Sequence, residues 1–281
     1  MIHTSRQLKA LVRNISKGNS VKAQIILRNY VMERFLERLS LSQYRDNMIL
    51  KGGTLVAAMV GLDNRSTMDV DATLKNLPLN EDSARKIVEE IAAIHIDDGM
   101  IFEIKSVTPI MDEADYSGIR IMLDTAIETM HTPLKIDFST GDVITPREVS
   151  YSFRLLFEER TISILAYNLE TVLAEKAETL LARGTANTRM RDFYDIYVLT
   201  NTQPHNIDNA TFKEAFVNTS EKRGSIGLLP DIDLILKEVA ESTVLIDRWK
   251  NYQRKFDYAA DVLWEDVMES VRHLVDIVKY Q

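Results

Sequence analysis

Two aspartates separated by one valine, Asp69 and Asp71 in "STMDVDATL", carry the first chemical signal in this sequence. In a strand alternate residues share a face, so Thr67, Asp69, Asp71 and Thr73 take one side and Met68, Val70, Ala72 and Leu74 the other. The two carboxylates then point the same way, with Cα atoms about 7 Å apart. At an effective dielectric of about 20 they repel by about 2 kcal/mol, a cost that a cation between them removes. The strand "LKIDFS" repeats the pattern, with Leu134, Ile136 and Phe138 apolar and Lys135, Asp137 and Ser139 polar. Paired beside the first strand, it would bring Asp137 onto the same face as a third carboxylate. Hard oxygen donors in this number suit Mg²⁺ or Mn²⁺. Two such ions can clamp an in-line phosphoryl or nucleotidyl displacement.

Just upstream, "LKGGTLVAAMVGL" places Lys51, Gly52, Gly53 and Thr54 where a buried strand turns into a short helix. Glycine there lets the backbone approach a phosphate closely and turns helix N-terminal amides toward it. A tight turn alone accounts for the glycine pair, and any half-exposed strand accounts for the aspartates. Their succession (glycine pair, short helix, D-x-D strand, lone-Asp strand) points to a nucleotide site, with Gly52, Gly53 and Thr54 as the phosphate seat and Lys51 beside it.

Further along, "NLETVLAEKAETLLARG" has Leu169, Val172, Leu173 and Leu180 on one helical arc, and Lys176 falls in its middle. In "NTRMRDFYDIYVLTN", Asp192 lies on the stripe of Phe193, Ile196 and Leu199, with Asp195 at i+3 on its flank. A lysine that snorkels, or a structural salt bridge, explains each anomaly separately. The functional reading has Lys176 holding nucleotide phosphates and Asp192 or Asp195 orienting it or acting as a base. Between these helices Arg183, Arg189 and Arg191 stand without an acid among them, either as a solvated corner or, for Arg191, as a nucleotide contact.

The elements that must position these groups follow from periodicity. Val21 to Ser40 reads as an amphipathic helix feeding the first strand, "NMILKGG". "STMDVDATL", "MIFEIKSV", "GIRIMLDTAI" and "PLKIDFST" read as four more strands, the middle two joined through the turn-rich "TPIMDEADYSG", and Asn80 to His95 reads as a helix. After about Ser150 only "RTISIL" reads as strand. Asn187 or Thr188 and Gly184 are the capping candidates of a helical hairpin over 168–200. Helices near 208–220, 231–241 and 254–279 complete a bundle. The expected architecture is α/β, a mixed sheet with N-terminal helices over residues 1–150, followed by an α-helical domain over 151–281 that completes the active-site cleft.

Composition sets the outer limits. The 281 residues are 45% hydrophobic, enough for a substantial core, and no apolar run reaches membrane-spanning length. The opening "MIHTSRQLKALVRNISKG" is a basic amphipathic stretch without a secretory core, so an intracellular, cytoplasmic protein with no membrane partner is expected. The absence of cysteine excludes disulfides, thiolate nucleophiles and Cys-based zinc, and five scattered histidines argue against a His-based metal site. A net charge of −8 argues against a protein that coats nucleic acid, though not against an enzyme acting on one end of an RNA.

Taken together, "LKGGT" with "RSTMDVD", "KIDFSTGD", "LAEKAETLLAR" and "RDFYDIY" resemble the nucleotidyltransferase toxins of the AbiEii/AbiGii type, within the DNA polymerase β-like nucleotidyltransferase superfamily. The resemblance spans residues 48 to 200. Arg65 and Thr67 match the basic and hydroxyl residues that precede the family's D-x-D, and Gly-Gly-Thr stands where the superfamily more often has Gly-Ser. It implies a polymerase β-like fold and a toxin of a toxin–antitoxin or abortive-infection system with a role in antiviral defence. It also implies a metal-dependent transfer of a nucleotide from an NTP, GTP or CTP among them, to an RNA acceptor such as tRNA. The family's functional set maps onto Asp69, Asp71, Lys176 and Asp192, with Arg65, Arg191 and Asp195 as added nucleotide contacts. The antitoxin it implies is a functional partner, and direct contact is not implied. Two alternatives stand beside this reading: nucleotidylation or phosphorylation of a protein hydroxyl, and a GTP-binding module without transfer.

Overall fold

The computed structural model describes residues 1–110 and 118–279. Two compact units emerge: Met1–Leu62, Ser66–Asp142 and Glu148–Ala166 form the first, and Asp63–Arg65, Val143–Arg147 and Tyr167–Gln281 the second.

The first unit begins with helices α1 (Ser5–Ser16) and α2 (Ser20–Leu41). Strand β1 (Met48–Lys51) runs directly into helix α3 (Gly52–Val60), and strand β2 (Asp69–Leu74) is followed by helix α4 (Glu81–Ala92). Strands β3 (Met100–Ile110), β4 (Gly118–Ile127), β5 (Met130–Thr140), β6 (Val149–Arg154) and β7 (Thr161–Ala166) complete one sheet. Its order is β3-β4-β5-β2-β1-β7-β6. The sheet is mixed: β2 runs parallel to β5 and β1 to β7, and the remaining pairs are antiparallel. The centre of the turn-rich stretch, residues 111–117, lies outside the described residues.

Strand β6 is an addition to the strands expected after Ser150. "VSYSFR" alternates apolar and polar residues, with Val149, Tyr151 and Phe153 on one face, but none of its six positions is buried. It forms because it pairs with β7 from Val149↔Ala166 to Arg154↔Thr161, which draws residues 149–166 into the sheet.

Helix α2 differs more from expectation. Its charges do not face water, because Glu33, Arg34, Glu37 and Arg38 are all buried alongside Tyr30, Phe35, Leu36 and Leu39. Burying an ion requires a partner, and each one has it. Arg38 makes two 2.8 Å contacts with Asp98, and Arg34 reaches Glu37 at 2.8 Å and Glu33 at 3.2 Å. Glu33 also accepts from the Leu156 amide at 2.7 Å, which ties the β6–β7 turn to the helix.

The second unit holds α5 (Leu169–Arg183), α6 (Met190–Thr202), α7 (Asn209–Lys222), α8 (Ile232–Glu241), α9 (Thr243–Lys255) and α10 (Trp264–Lys279). The helix expected near 254–279 begins later, as α10, and α9 is a further helix that the periodicity reading lacked. Gly184 closes α5 with φ +47°, as its glycine suggested, but the N-cap of α6 is Arg189. Asn187 instead accepts the Arg189 amide at 2.7 Å. Among the described residues no helix is long and apolar enough to cross a membrane.

The Arg38–Asp98 pair yields a stability prediction. Asp98→Ala leaves a guanidinium that is 3% exposed without its counter-ion, at a cost of about 3–5 kcal/mol. Urea unfolding should show that loss in full for Asp98→Ala and much less of it for the double variant Arg38→Met/Asp98→Leu.

Candidate active site

Strand register lays four charged positions in one row across the centre of the sheet. Lys51 of β1 pairs with Asp71 of β2, Asp71 with Asp137 of β5, and Asp137 with Arg120 of β4. One pleat along, Asp69 pairs with Lys135. Asp137 therefore does stand beside the D-x-D strand, on the face that strand parity assigns to it. Val70, Ala72, Leu134, Ile136 and Phe138 fill the opposite face and are buried.

Two of the three carboxylates have local cations. Arg120 grips Asp137 through two 2.8 Å hydrogen bonds, and the Lys135 ammonium lies 2.6 Å from Asp69 and 3.7 Å from Asp137. Asp71 accepts the Gly53 amide at 3.3 Å and makes no ion pair among the described residues. Burial, reinforced by the charges of Asp137 and Asp69, raises its pKa above the ordinary value, against the pull of Lys51 and the Gly53 amide.

The glycine pair is explained by the same carboxylate. Gly52 sits at φ +63°, and a Cβ there would lie 2.8 Å from both Cβ and Cγ of Asp71. Only glycine satisfies both constraints. Behind it, buried Thr54 donates its hydroxyl to the Asp69 carbonyl, tying the first turn of α3 to β2. Lys51 turns to Asp142, at 2.6 Å, and Ser139 donates to the same carboxylate at 2.6 Å. Burial pushes the Asp142 pKa up, but Lys51 and the hydroxyls of Ser139 and Thr73 prevail and hold it low.

Arg120, Lys135 and Asp142 are the members that the sequence reading did not single out. In the sequence Lys135 reads as a polar position only, although its alternation with Asp137 puts it on the carboxylate face. Asp142 follows a glycine in "FSTGD" at the end of the lone-Asp strand, which is a signal of a kind. Arg120 had none, because its role depends on which strand flanks β5.

The helical unit carries a second polar cluster. The Lys176 ammonium of α5 lies 2.9 Å from Asp192 and 2.6 Å from Asp195, both on α6. Arg65 binds Asp195 through Nε at 2.5 Å and Nη2 at 3.2 Å. Of the two aspartates, Asp195 is the fully buried one, while Asp192 keeps 15% of its side chain exposed. The helical wheel had them reversed, since Arg65 and Lys176 draw Asp195 inward. Burial would lower the Lys176 pKa, but Asp192 and Asp195 outweigh it and keep the ammonium charged. Arg191 is exposed, with its guanidinium 5.5 Å from the Phe256 ring centre.

The donor set of the sheet unit fits a divalent cation in kind: three carboxylates at neighbouring positions of paired strands, of which Asp71 makes no ion pair among the described residues. Among the described residues no three such side chains converge as a closed cage. Asp69 turns instead to Lys135 and Asp137 to Arg120, and these cations occupy the positions that a bound metal would compete for.

A pH dependence follows from Asp195. Burial raises its pKa, yet Lys176 and Arg65 overcome that and hold it at about 2, below the ordinary 3.8. A depressed acid stabilises the fold above its unfolded value and loses that contribution as pH falls through the folded one. Thermal melts should therefore fall between pH 4 and 2 by an amount equivalent to about 2 kcal/mol. Asp195→Asn, less stable at neutral pH, should show a flatter profile over that interval.

The family model described as "Nucleotidyl transferase AbiEii toxin, Type IV TA system" matches residues 34–276. Among solved structures the chain is similar to JHP933 from Helicobacter pylori, at 15% identity and a TM-score of 0.50, covering 91% of this chain and 92% of that one. It is also similar to a candidate nucleotidyltransferase from H. pylori, at 16% identity and a TM-score of 0.49, covering 91% and 95%. A third is an antigenic nucleotidyltransferase-like protein from Paracoccidioides brasiliensis, at 13% identity and a TM-score of 0.38, covering 84% and 94%. No curated protein matches. With the family model covering most of its length and the carboxylate strands inside the matched span, the chain belongs to the AbiEii family of nucleotidyltransferase toxins of type IV toxin–antitoxin systems.

Proposed function

We propose that this protein transfers a nucleotide from an NTP to an RNA acceptor, with tRNA the acceptor class that its family resemblance suggests. The observation that carries the reading is the carboxylate row itself, Asp71 beside Asp137 with Asp69 one pleat away, packed against the glycine turn that opens α3. Asp69 and Asp71 would hold Mg²⁺ or Mn²⁺, with Asp137 as a further ligand or as the base. When bound, the metal supplies positive charge to the triphosphate and the acceptor hydroxyl.

The protein's own groups do the rest. Amides at the start of α3, from Gly52 to Thr54, present partial positive charge to phosphate oxygens. Lys51 and Lys135 add cations at the edge of the row. In the transfer an acceptor hydroxyl oxygen bonds to the α-phosphorus as the bond to pyrophosphate breaks, and the hydroxyl proton passes to a carboxylate of the row. We assign Lys176, positioned by Asp192 and Asp195, to phosphate binding in the same reaction, with Arg65 holding Asp195 in place. Arg191 is the remaining candidate nucleotide contact. In this reading the reaction takes place in the cytoplasm as part of an abortive, antiviral response, with a cognate antitoxin as functional partner.

Incubation of the protein with each α-labelled NTP, Mg²⁺ and total RNA tests this directly. Label should enter one RNA class, and Asp69→Asn and Asp71→Asn should each lower the rate by at least about 100-fold. Absence of label in every RNA fraction, or wild-type transfer by Asp71→Asn, would overturn the reading. Label in a protein band that resists ribonuclease would select the protein-acceptor alternative, and nucleotide binding without turnover the binding module. Because removing one of two facing like charges relieves their repulsion, Asp71→Asn should also unfold at a free energy higher than wild type by about 1 kcal/mol.

A further inference from the structure

The first 32 residues contain Arg6, Lys9, Arg13, Lys17, Lys22 and Arg28 and no aspartate or glutamate, in a chain whose net charge is −8. The structure turns this bias into a surface. Arg6, Lys9 and Arg13 recur at i, i+3 and i+7 of α1, within an arc of about 60° and over about 10 Å of helix. They are exposed, as is Lys17 at the C-cap. Two carboxylates stand at the N-terminal end of this ridge: Glu128, which accepts from the Ser5 amide and hydroxyl and lies near Lys9, and Asp97, 3.7 Å from His3. The ridge is otherwise cationic.

Helix α2 carries the same bias inward. Arg28 approaches the Met68 sulfur at 3.0 Å, and Asn29 donates to the Thr67 carbonyl at 3.0 Å. Met68 directly precedes Asp69, so the basic segment that begins on α1 ends beside the carboxylate strand. Next to the ridge, Leu8, Val12, Leu27 and Met130, together with Lys9 and Arg13, line an open cavity of about 300 Å³ whose surface is mostly apolar.

We infer that this ridge of α1 and the first turns of α2 form the docking surface for an unpaired segment of the RNA acceptor. The backbone phosphates lie along Arg6, Lys9 and Arg13, and a base rests against the apolar cavity. An unpaired nucleotide offers that combination of a charged phosphate and a flat apolar face. A membrane fits less well: the apolar cavity is recessed, with Leu8 and Val12 0% and 7% exposed, and on α1 itself the large apolar side chain in the open is Ile15, at 40%. The inference rests on the RNA-acceptor reading for its biological meaning, but binding can be measured without transfer.

The test uses the full-length protein and 5′-labelled bulk tRNA, followed by fluorescence anisotropy across a salt series. The triple variant Arg6→Glu/Lys9→Glu/Arg13→Glu should bind at least about tenfold more weakly than wild type. The neutral triple variant, with glutamine at the same positions, should lose affinity to a smaller degree and lower the salt-dependence slope by about 2, near 0.7 for each lost phosphate contact. Both should retain the wild-type melting temperature and NTP affinity. Wild-type affinity and slope in the glutamine variant would overturn the proposal, as would wild-type protein that binds no tRNA. So would binding to phosphatidylglycerol vesicles or polyglutamate, in place of tRNA, that depends on the three residues. If tRNA binding depends on the ridge but no label is ever transferred to RNA, the transferase reading fails and the docking surface stands. Undiminished transfer to RNA by the glutamate variant has the opposite meaning.

Discussion

Two aspartates face each other across adjacent parallel strands at the centre of a sheet, and most of the sheet unit is arranged around that unfavourable contact. Like charges at paired positions destabilise a sheet, yet Asp71 and Asp137 occupy one rung with Asp69 one pleat away. The structure answers with charge placement. Lys51 and Arg120 bound the row on either side, and Lys135 lies against Asp69. Asp71, the innermost, rests under the backbone of Gly52 and the amide of Gly53. The glycine turn therefore both permits the close approach and supplies a positive helix end to the acid with the weakest counter-charge.

The same economy appears in the helical unit, where Lys176 and Arg65 balance Asp192 and Asp195 as a neutral group of four. Such buried pairs are poor sources of net stability. Their value lies in orientation, because an ammonium held between two carboxylates keeps its proton and its position. In the sheet unit the charged face of α2 is handled likewise, each ion paired within the core. The two units thus share one principle, in which charges that would be costly alone are fixed by partners distant in sequence.

That principle also explains what could be read from the sequence. Strand parity alone placed Asp69, Asp71 and Asp137 on one face, since a period of two is a local property. The glycine pair and the lysine in the apolar arc of α5 were visible as departures from local pattern. Partners were not visible: Arg120, Lys135 and Asp142 acquire their roles through strand order, and Asp195 exchanges burial with Asp192 because Arg65, 130 positions away, binds it. Strand β6 was legible in part: Val149, Tyr151 and Phe153 alternate with polar residues, although none of its positions is buried. Helix α2 misled in its detail because charge in a sequence reads as solvent, whereas here it is paired inside.

The central claim is that the carboxylate row is built to receive a divalent cation, and Mn²⁺ binding measured by electron paramagnetic resonance addresses it without any assumption about acceptor or nucleotide. The wild-type protein should take up Mn²⁺ with NTP present, and Asp69→Asn and Asp71→Asn should each remove the bound-metal signal while remaining folded. Full Mn²⁺ uptake by Asp71→Asn, or none by the wild-type protein with any NTP, would contradict the account.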